Sequence, residues 1–310
     1  MDIFEFFAYN ISNESRHMNS KQANCPSEIL TGDCLHNLKS GAVNDVALSF
    51  IDPPFRQGKE YRFFDDDQPK ERYWNWMEEV LRAVREVTVE GGAVYFMQRE
   101  KNAEEVLRVI RQSGWTYQNL IIWKKKTSAV PCEIRYGKQF QIIAFATKGS
   151  RPRVFNKLRV DLPKEPNHKY TRPNGVFVTD VWDDIRELTS GYFAGDEPIR
   201  ELNGDRSHVQ QSPVALLLRT VLSSTKPGDV VLDPFAGTGT TLVTASQLQR
   251  KSVGIEIDPK NVEIIEKRLA KTRPVDNVSK YRHYYRFTSN LDNIWPSVQP
   301  VSRQEEKVNA

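Results

Sequence analysis

Cysteine is scarce in this chain, with three among 310 residues: Cys25, Cys34 and Cys132. They are too scattered for a zinc site and odd in number, which fits a reducing compartment. No apolar run is long enough to span a membrane, and no charged-then-apolar leader follows Met1. The expected location is therefore the cytoplasm, with no membrane partner. Low-complexity repeats are absent too, and neither sign of charge dominates, the formal net charge being +4. What is present suffices for a folded core: 39% apolar residues, in a length that holds one α/β domain with an insert, or two domains.

Two segments concentrate the chemistry. In the second of them, the short run Asp229-Val230-Val231-Leu232 ends at Asp233, and Pro234-Phe235-Ala236-Gly237-Thr238-Gly239 leads into a predicted helix from about Thr240 to Gln249. The glycines fall where a backbone turns tightly and approaches a ligand. A further strand, Ser252 to Ile257, follows and ends in Glu256-Ile257-Asp258-Pro259. A carboxylate in that place accepts hydrogen bonds from ribose hydroxyls, and Glu256 is the candidate. The loop lacks the Gly-Lys-Ser/Thr ending of a P-loop and the third glycine of the dinucleotide fingerprint. Asp233 would also repel a pyrophosphate, whereas it suits a cation. S-adenosylmethionine, with its sulfonium, α-amino group and ribose, meets both conditions; the bland alternative is an ordinary glycine turn with no ligand.

In the first segment, Val46 to Ile51 is apolar and runs into Asp52-Pro53-Pro54-Phe55. The two prolines remove two backbone donors and hold the chain extended, leaving carbonyl oxygens free to accept. The exocyclic amino group of adenine or cytosine is a poor nucleophile, because its lone pair is conjugated into the ring. If the Asp52 carboxylate and the Pro53 carbonyl accept its two N–H bonds, the nitrogen is drawn toward tetrahedral geometry and can attack a methyl sulfonium. Phe55 would stack on the base, which must leave the duplex to reach such a pocket. A proline-rich turn with a packed Phe is the alternative. Both segments sit at the carboxyl ends of predicted parallel strands, where open α/β folds bind ligands.

Asp-Pro-Pro-Phe together with Asp-Pro-Phe-x-Gly-x-Gly-Thr-Thr resembles the amino-methylating DNA methyltransferases of restriction-modification systems. The tetrapeptide precedes the glycine loop, which resembles the permuted β group of that family. Gly32-Asp33-Cys34 resembles its short Gly-Asp element, and His208-Val209-Gln210-Gln211-Ser212-Pro213 its His-x-x-Gln-x-Pro element, with Ser212 standing where a basic residue is usual. The resemblance covers about Ser27 to Lys271. It implies an α/β S-adenosylmethionine-dependent methyltransferase (Rossmann-like) fold: a mostly parallel sheet with helices on both faces and an inserted target-recognition region. It further implies a cofactor site of Asp33, Cys34, Gln211, Asp233, Phe235, Gly237, Gly239, Thr240, Thr241, Glu256 and Asp258, and a catalytic site of Asp52, Pro53, Pro54 and Phe55. The mechanism needs no metal.

The implied product is N6-methyladenine in double-stranded DNA, with N4-methylcytosine as the alternative; enzymes of the latter kind usually carry Ser where this chain has Asp52. Guanine-N2 methyltransferases of ribosomal RNA share Asp-Pro-Pro-Phe but place the glycine loop first. That order, and the long insert, disfavour an RNA substrate. Pro131-Cys132 matches the nucleophile of cytosine-C5 methyltransferases, which have no use for Asp-Pro-Pro-Phe. Intact Asp52 to Phe55 and Glu256 argue against a non-catalytic DNA-binding subunit. A cognate restriction endonuclease and a homodimer are compatible with the family, and the sequence decides neither.

Helices are predicted over Lys70 to Val87, Lys101 to Gln112 and Pro213 to Ser224, and strands over Ala93 to Met97, Tyr117 to Trp123 and Phe140 to Thr147, the last two pairing at the far side of the sheet. Trp74 and Trp76 read as core or groove-lining. The expected organisation is a polar lead-in (1–24), a catalytic half (25–147), a target-recognition insert (148–205), a cofactor half (206–272) and a tail (273–310). From Lys124 to Arg172 the chain carries thirteen Lys and Arg against three Asp and Glu. Such a run is the footprint expected for a phosphate backbone, and Lys124, Lys125, Lys126, Arg135, Arg151, Arg153 and Arg159 are its group candidates. Asp180 to Asp205 reverses the sign, eight acids to two bases, and is expected to face away from DNA. The aromatic and basic tail, Tyr281 to Phe287, could pack on the core or touch nucleic acid.

Overall fold

The computed structural model describes residues 25–296 except 128–129, 132, 163–171, 189–194, 202 and 208–209. The lead-in at 1–24, Cys132, His208 and the end of the tail lie outside the described residues. In chain order the elements are β1 (Ser27–Thr31), α1 (Cys34–Lys39), β2 (Val46–Ile51), α2 (Lys70–Val87), β3 (Thr88–Arg99), α3 (Ala103–Gln112), β4 (Thr116–Lys124) and β5 (Phe140–Thr147). Three two-residue strands follow, β6 (Arg159–Val160), β7 (Val176–Phe177) and β8 (Val181–Trp182). The chain then forms α4 (Val214–Ser224), β9 (Val230–Asp233), α5 (Thr240–Gln247), β10 (Lys251–Glu256), α6 (Pro259–Ala270) and a last helical turn, α7 (Leu291–Ile294).

Eight strands make one sheet in the order β1-β10-β9-β2-β3-β5-β4-β8. The first five are parallel, so Glu256, Asp233, Ile51 and Arg99 finish at the same edge. Beyond β3, β5 runs antiparallel to both β3 and β4. The predicted pairing of β4 with β5 is present. Strand β5 lies inside, and β4 and then β8 form the far side, so part of the segment expected to be an insert completes the main sheet.

Both faces of the sheet are covered, as the nearly continuous apolar strands require. Leu48, Phe50, Tyr95, Met97 and Phe145 point into a core shared with α4 and the tail, while Ile51, Val94, Phe96 and Ala144 point into a core shared with α2 and α3. Helix α2 follows from Tyr73, Trp74, Met77, Val80, Leu81 and Val84, whose spacing of three and four places them on one buried stripe. Each such side chain contributes about 1.5–3 kcal/mol on burial. Helix α4 is buried almost all round, including Arg219. There Arg219 pairs with Asp184 and donates to the Tyr285 hydroxyl at 3.2 Å, and the Tyr284 hydroxyl donates to the same Asp184. This network ties part of the tail down: Tyr284 and Tyr285, and Trp295 beyond them, pack on the core, while His283 and Arg286 stay exposed.

Candidate active site

Strand β2 ends against β3 and β9, so the Asp-Pro-Pro-Phe turn leaves from the middle of the sheet's carboxyl edge. Its shape is held from outside. The Tyr73 hydroxyl donates to the Pro54 carbonyl at 2.6 Å, and Gln98 Nε2 donates to Tyr73 at 2.9 Å. Just beyond, Asp66 accepts the backbone N–H groups of Arg56, Gln57 and Lys59 at 2.7, 2.8 and 3.1 Å. The chain therefore coils around Asp66 and lays Tyr61 to Phe64 along a cavity of about 310 Å³.

Every predicted cofactor residue except Gly239 lines this cavity, as do Asp52, Pro53 and Pro54. The glycine loop enters α5 with Gly237 at φ 53° and Gly239 at φ 78°, the left-handed region that disfavours other residues. A Cβ on Gly239 would also lie 2.8 Å from Ile265, so this glycine serves packing of the loop rather than the cavity wall. From behind, Arg268 donates to the Thr238 carbonyl at 2.5 Å and pairs with the fully buried Asp276 at 2.9 Å.

Among the carboxylates that line the cavity, Glu256, Asp233 and Asp52 stand at the ends of β10, β9 and β2. Glu256 accepts from the Gly237 N–H at 2.7 Å, the Asp258 N–H at 2.9 Å and Asn261 Nδ2 at 3.3 Å. Asp233 accepts from the Phe235 N–H at 3.1 Å and the Thr241 hydroxyl at 2.5 Å. Burial pushes the Asp233 carboxyl up to about 7, the two hydrogen bonds opposing and Glu256 adding to it. Asp52 accepts from the Ser212 hydroxyl at 2.9 Å through Oδ2, while its Oδ1 is buried with no partner. Burial raises Asp52 to about 7 as well, against the Ser212 hydrogen bond and with Asp233 adding to it.

The remaining cofactor candidates carry structural bonds too. Asp33 caps α1 by accepting the His36 N–H at 2.9 Å, and Asp258 caps α6 by accepting the Lys260 N–H at 2.9 Å. The Gln211 amide is engaged by Ile199 and the Glu197 carbonyl, both at 3.1 Å. Burial pushes the Cys34 thiol up to about 12, which leaves it a neutral wall group. Phe55 is buried and faces away from this cavity, into a second one of about 510 Å³ that it shares with Trp123, Phe140, Lys59 and Lys125. Gln210, Gln211 and Ser212 border both cavities.

The basic candidates are not brought together. Lys124, Lys125, Lys126 and the exposed Arg135 follow β4 at the carboxyl edge, the edge of Asp52. Because β5 then carries the chain back, Arg151 and Arg153 lie at the amino edge, where Arg153 N–H donates to the Gly91 carbonyl at 2.7 Å and its side chain pairs with Asp229. Arg159 lies over the Phe177 ring and donates to the Asn174 carbonyl at 2.7 Å. The acidic strip is partly spent inside the fold: Asp184 on Arg219, Glu187 on the Lys126 and Thr127 N–H groups, and Glu197 on the Val214 N–H.

Sequence reasoning missed the roles of two contributors and left that of a third open. Ser212 is one; its only signal was its departure from a basic residue. Tyr73 is another, hidden in the apolar stripe of α2. The third is the wall formed by Trp76, which meets Phe64 at 4.9 Å and Phe235 at 5.6 Å, the groove-lining role foreseen for one of the two tryptophans, while Trp74 is core. Among the described residues no cluster of three or more His, Cys, Asp or Glu could hold a metal ion, and no helix is long and apolar enough to cross a membrane.

Comparison with known proteins places this geometry. The DNA adenine methyltransferase YhdJ of Escherichia coli strain K12 is 29% identical over 256 residues, spanning 78% of this chain and 82% of that protein. The type II methyltransferase M.HinfI of Haemophilus influenzae is 29% identical over 267 residues, spanning 80% and 70%. Among solved structures, the cytosine-N4-specific PvuII DNA methyltransferase superposes with a TM-score of 0.58 at 18% identity over 87% of this chain and 96% of that one. The M1.HpyAVI–SAM complex gives 0.53 at 21% identity over 78% and 98%. These structural likenesses show the methyltransferase fold. A family model described as DNA methylase, of the N6 and N4 type, matches residues 46–267, from the start of β2 through the tetrapeptide and the glycine loop into α6, and the chain belongs to that family.

Proposed function

We propose that this DNA methyltransferase acts on adenine N6 at a short specific sequence of double-stranded DNA, with S-adenosylmethionine as methyl donor. The observation that carries the reading is Asp52 Oδ1, a buried carboxylate oxygen without a partner, on a residue that lines the cavity. A buried acceptor left open costs about 1–3 kcal/mol, a cost that a substrate N–H would remove.

The cavity fits the cofactor. Its volume falls within the range of about 300–1,000 Å³ usual for small-molecule sites. Glu256 uses three of the roughly four acceptor positions of a carboxylate, leaving capacity for a ribose hydroxyl. Asp233 places negative charge for a cationic ligand, and Trp76 with Phe235 forms an aromatic wall. When bound, S-adenosylmethionine supplies a methyl group on a sulfonium, an electrophile that needs no metal to activate it.

The chain's own residues act on the base. Asp52 and the Pro53 carbonyl accept its two amino N–H bonds and localise the nitrogen lone pair. Phe55 and Trp123 give the second cavity apolar walls for a flipped base, and Lys125 and Lys59 keep it electropositive. The target base is taken as adenine because Asp occupies position 52 and YhdJ is named an adenine enzyme. The likeness to the PvuII enzyme supports cytosine N4 as the second reading.

The test is incubation of the purified protein with labelled S-adenosylmethionine and unmethylated genomic DNA, then nucleoside digestion and mass spectrometry. N6-methyldeoxyadenosine is expected. N4-methyldeoxycytidine would correct the base, and no label in either nucleoside would overturn the reading.

A further inference from the structure

We propose that Ser212 is a positioning residue for Asp52: its hydroxyl fixes Oδ2 and thereby reserves Oδ1 for the substrate amino group. The inference rests on the role given above to Asp52 and adds to it a residue 160 positions away in sequence.

Ser212 Oγ donates to Asp52 Oδ2 at 2.9 Å, and Oδ1 of the same carboxylate has no partner. A carboxylate with both oxygens free could rotate and offer either one. Here one oxygen is engaged and the other is left open, so the group has a single direction in which to accept. The donor comes from a segment that is itself held. Gln211 is bonded at both ends of its amide, to the Ile199 N–H and the Glu197 carbonyl, and Pro213, with φ −68°, restricts the backbone of Ser212 before it. The Val214 N–H in turn donates to the Glu197 carboxylate at 2.6 Å. The hydroxyl therefore reaches Asp52 from a rigid support, as a preorganised site requires.

The same bond acts on charge. Burial and the neighbouring Asp233 disfavour the ionised form of Asp52, and the Ser212 hydroxyl is the largest influence opposing them. Lys125 and Lys59 oppose them from the side of the second cavity, and the phenols of Tyr61 and Tyr73 also face the group. A basic side chain in place of Ser212 would add charge there. The hydroxyl instead stabilises the carboxylate directionally, without filling the site with a cation.

The test compares Ser212→Ala, Ser212→Cys and Ser212→Thr with the native enzyme. Each is assayed for kcat and KM for DNA at saturating S-adenosylmethionine from pH 5.5 to 9, for cofactor affinity by calorimetry, and for Tm. Loss of one hydrogen bond to a charged group predicts that Ala lowers kcat about tenfold at pH 7 and moves the acid limb of kcat/KM to higher pH, with cofactor affinity within about twofold of native. Cys, close in size but a weak donor, should behave as Ala does, and Thr should restore most of the rate and the native limb. An acid limb that stays in place in Ala and Cys, or a loss that Thr does not repair, would overturn the proposal. Asp52→Asn run alongside separates the two levels. If it turns over normally, the role of Asp52 itself is wrong; if it is inactive while Ser212→Ala is native-like, only the role of Ser212 is wrong.

Discussion

The Tyr73 hydroxyl, one turn into α2, holds the Pro54 carbonyl at 2.6 Å. That bond engages the Pro54 carbonyl of the double-proline turn, and in the proposed mechanism the Pro53 carbonyl is the one that takes the second substrate N–H. Tyr73 is fully buried and its hydroxyl is also the acceptor for Gln98 Nε2. Tyr73→Phe should strand both partners, at a cost of about 1–3 kcal/mol each when buried. We expect a fall in Tm and a loss of kcat of about tenfold or more, with cofactor affinity little changed. A native kcat in Tyr73→Phe would show that the turn holds its shape without this bond.

Asp52 should give opposite pH dependences for stability and for activity. Its carboxyl sits at about 7 when folded, above its ordinary 3.8, so the folded protein binds the proton more tightly than the unfolded chain does. Protonation by this group therefore favours folding between about pH 4 and 7, and the ionised form costs stability above that window. In the proposed mechanism turnover needs the ionised form, so it should fall as pH drops through about 7. Asp52→Asn should abolish turnover and raise Tm more at pH 8 than at pH 5, by about 2–4 °C for each kcal/mol gained. Asp233 titrates in the same window, so the difference between native and variant is the quantity to measure. A difference in Tm that does not vary with pH would contradict the assignment.

Glu256 lies at the cavity end of β10 and binds the Gly237 N–H, so its loss should act on the cofactor first. Glu256→Ala is expected to weaken S-adenosylmethionine binding at least tenfold by calorimetry, whereas Asp52→Ala should stay within about threefold; a tenfold change corresponds to about 1.4 kcal/mol. Equal affinities in the two variants would remove Glu256 from the ribose.

The two clusters of basic residues should separate in DNA binding. Lys124→Gln with Lys126→Gln, at the edge of Asp52, should weaken binding and reduce the salt slope by about 0.9 for each phosphate that is no longer neutralised. Arg153→Gln, at the opposite edge and paired with Asp229, should leave the slope unchanged. A reduced slope in Arg153→Gln would place DNA at the amino edge as well.

Local sequence determined the parts that carry their own signal. The apolar stripe from Lys70 to Val87 set the span of α2, because the spacing of Tyr73, Trp74, Met77 and Leu81 buries one face only as a helix. Gly237 and Gly239 set the loop, because their backbone angles disfavour other side chains, and the two acids Asp233 and Glu256 were placed at the ends of their strands. Tertiary structure decided what meets across distance. Ser212 reaches Asp52 only because α4 and β9 return the chain to the middle of the sheet. The basic run from Lys124 onward reads as one stripe in sequence, yet it divides between opposite edges because β5 runs antiparallel to its neighbours. The pairing of β5 with β4 was legible, but not the antiparallel insertion of β5 between β3 and β4, because strand direction depends on which neighbours on both sides supply the hydrogen bonds and the buried face.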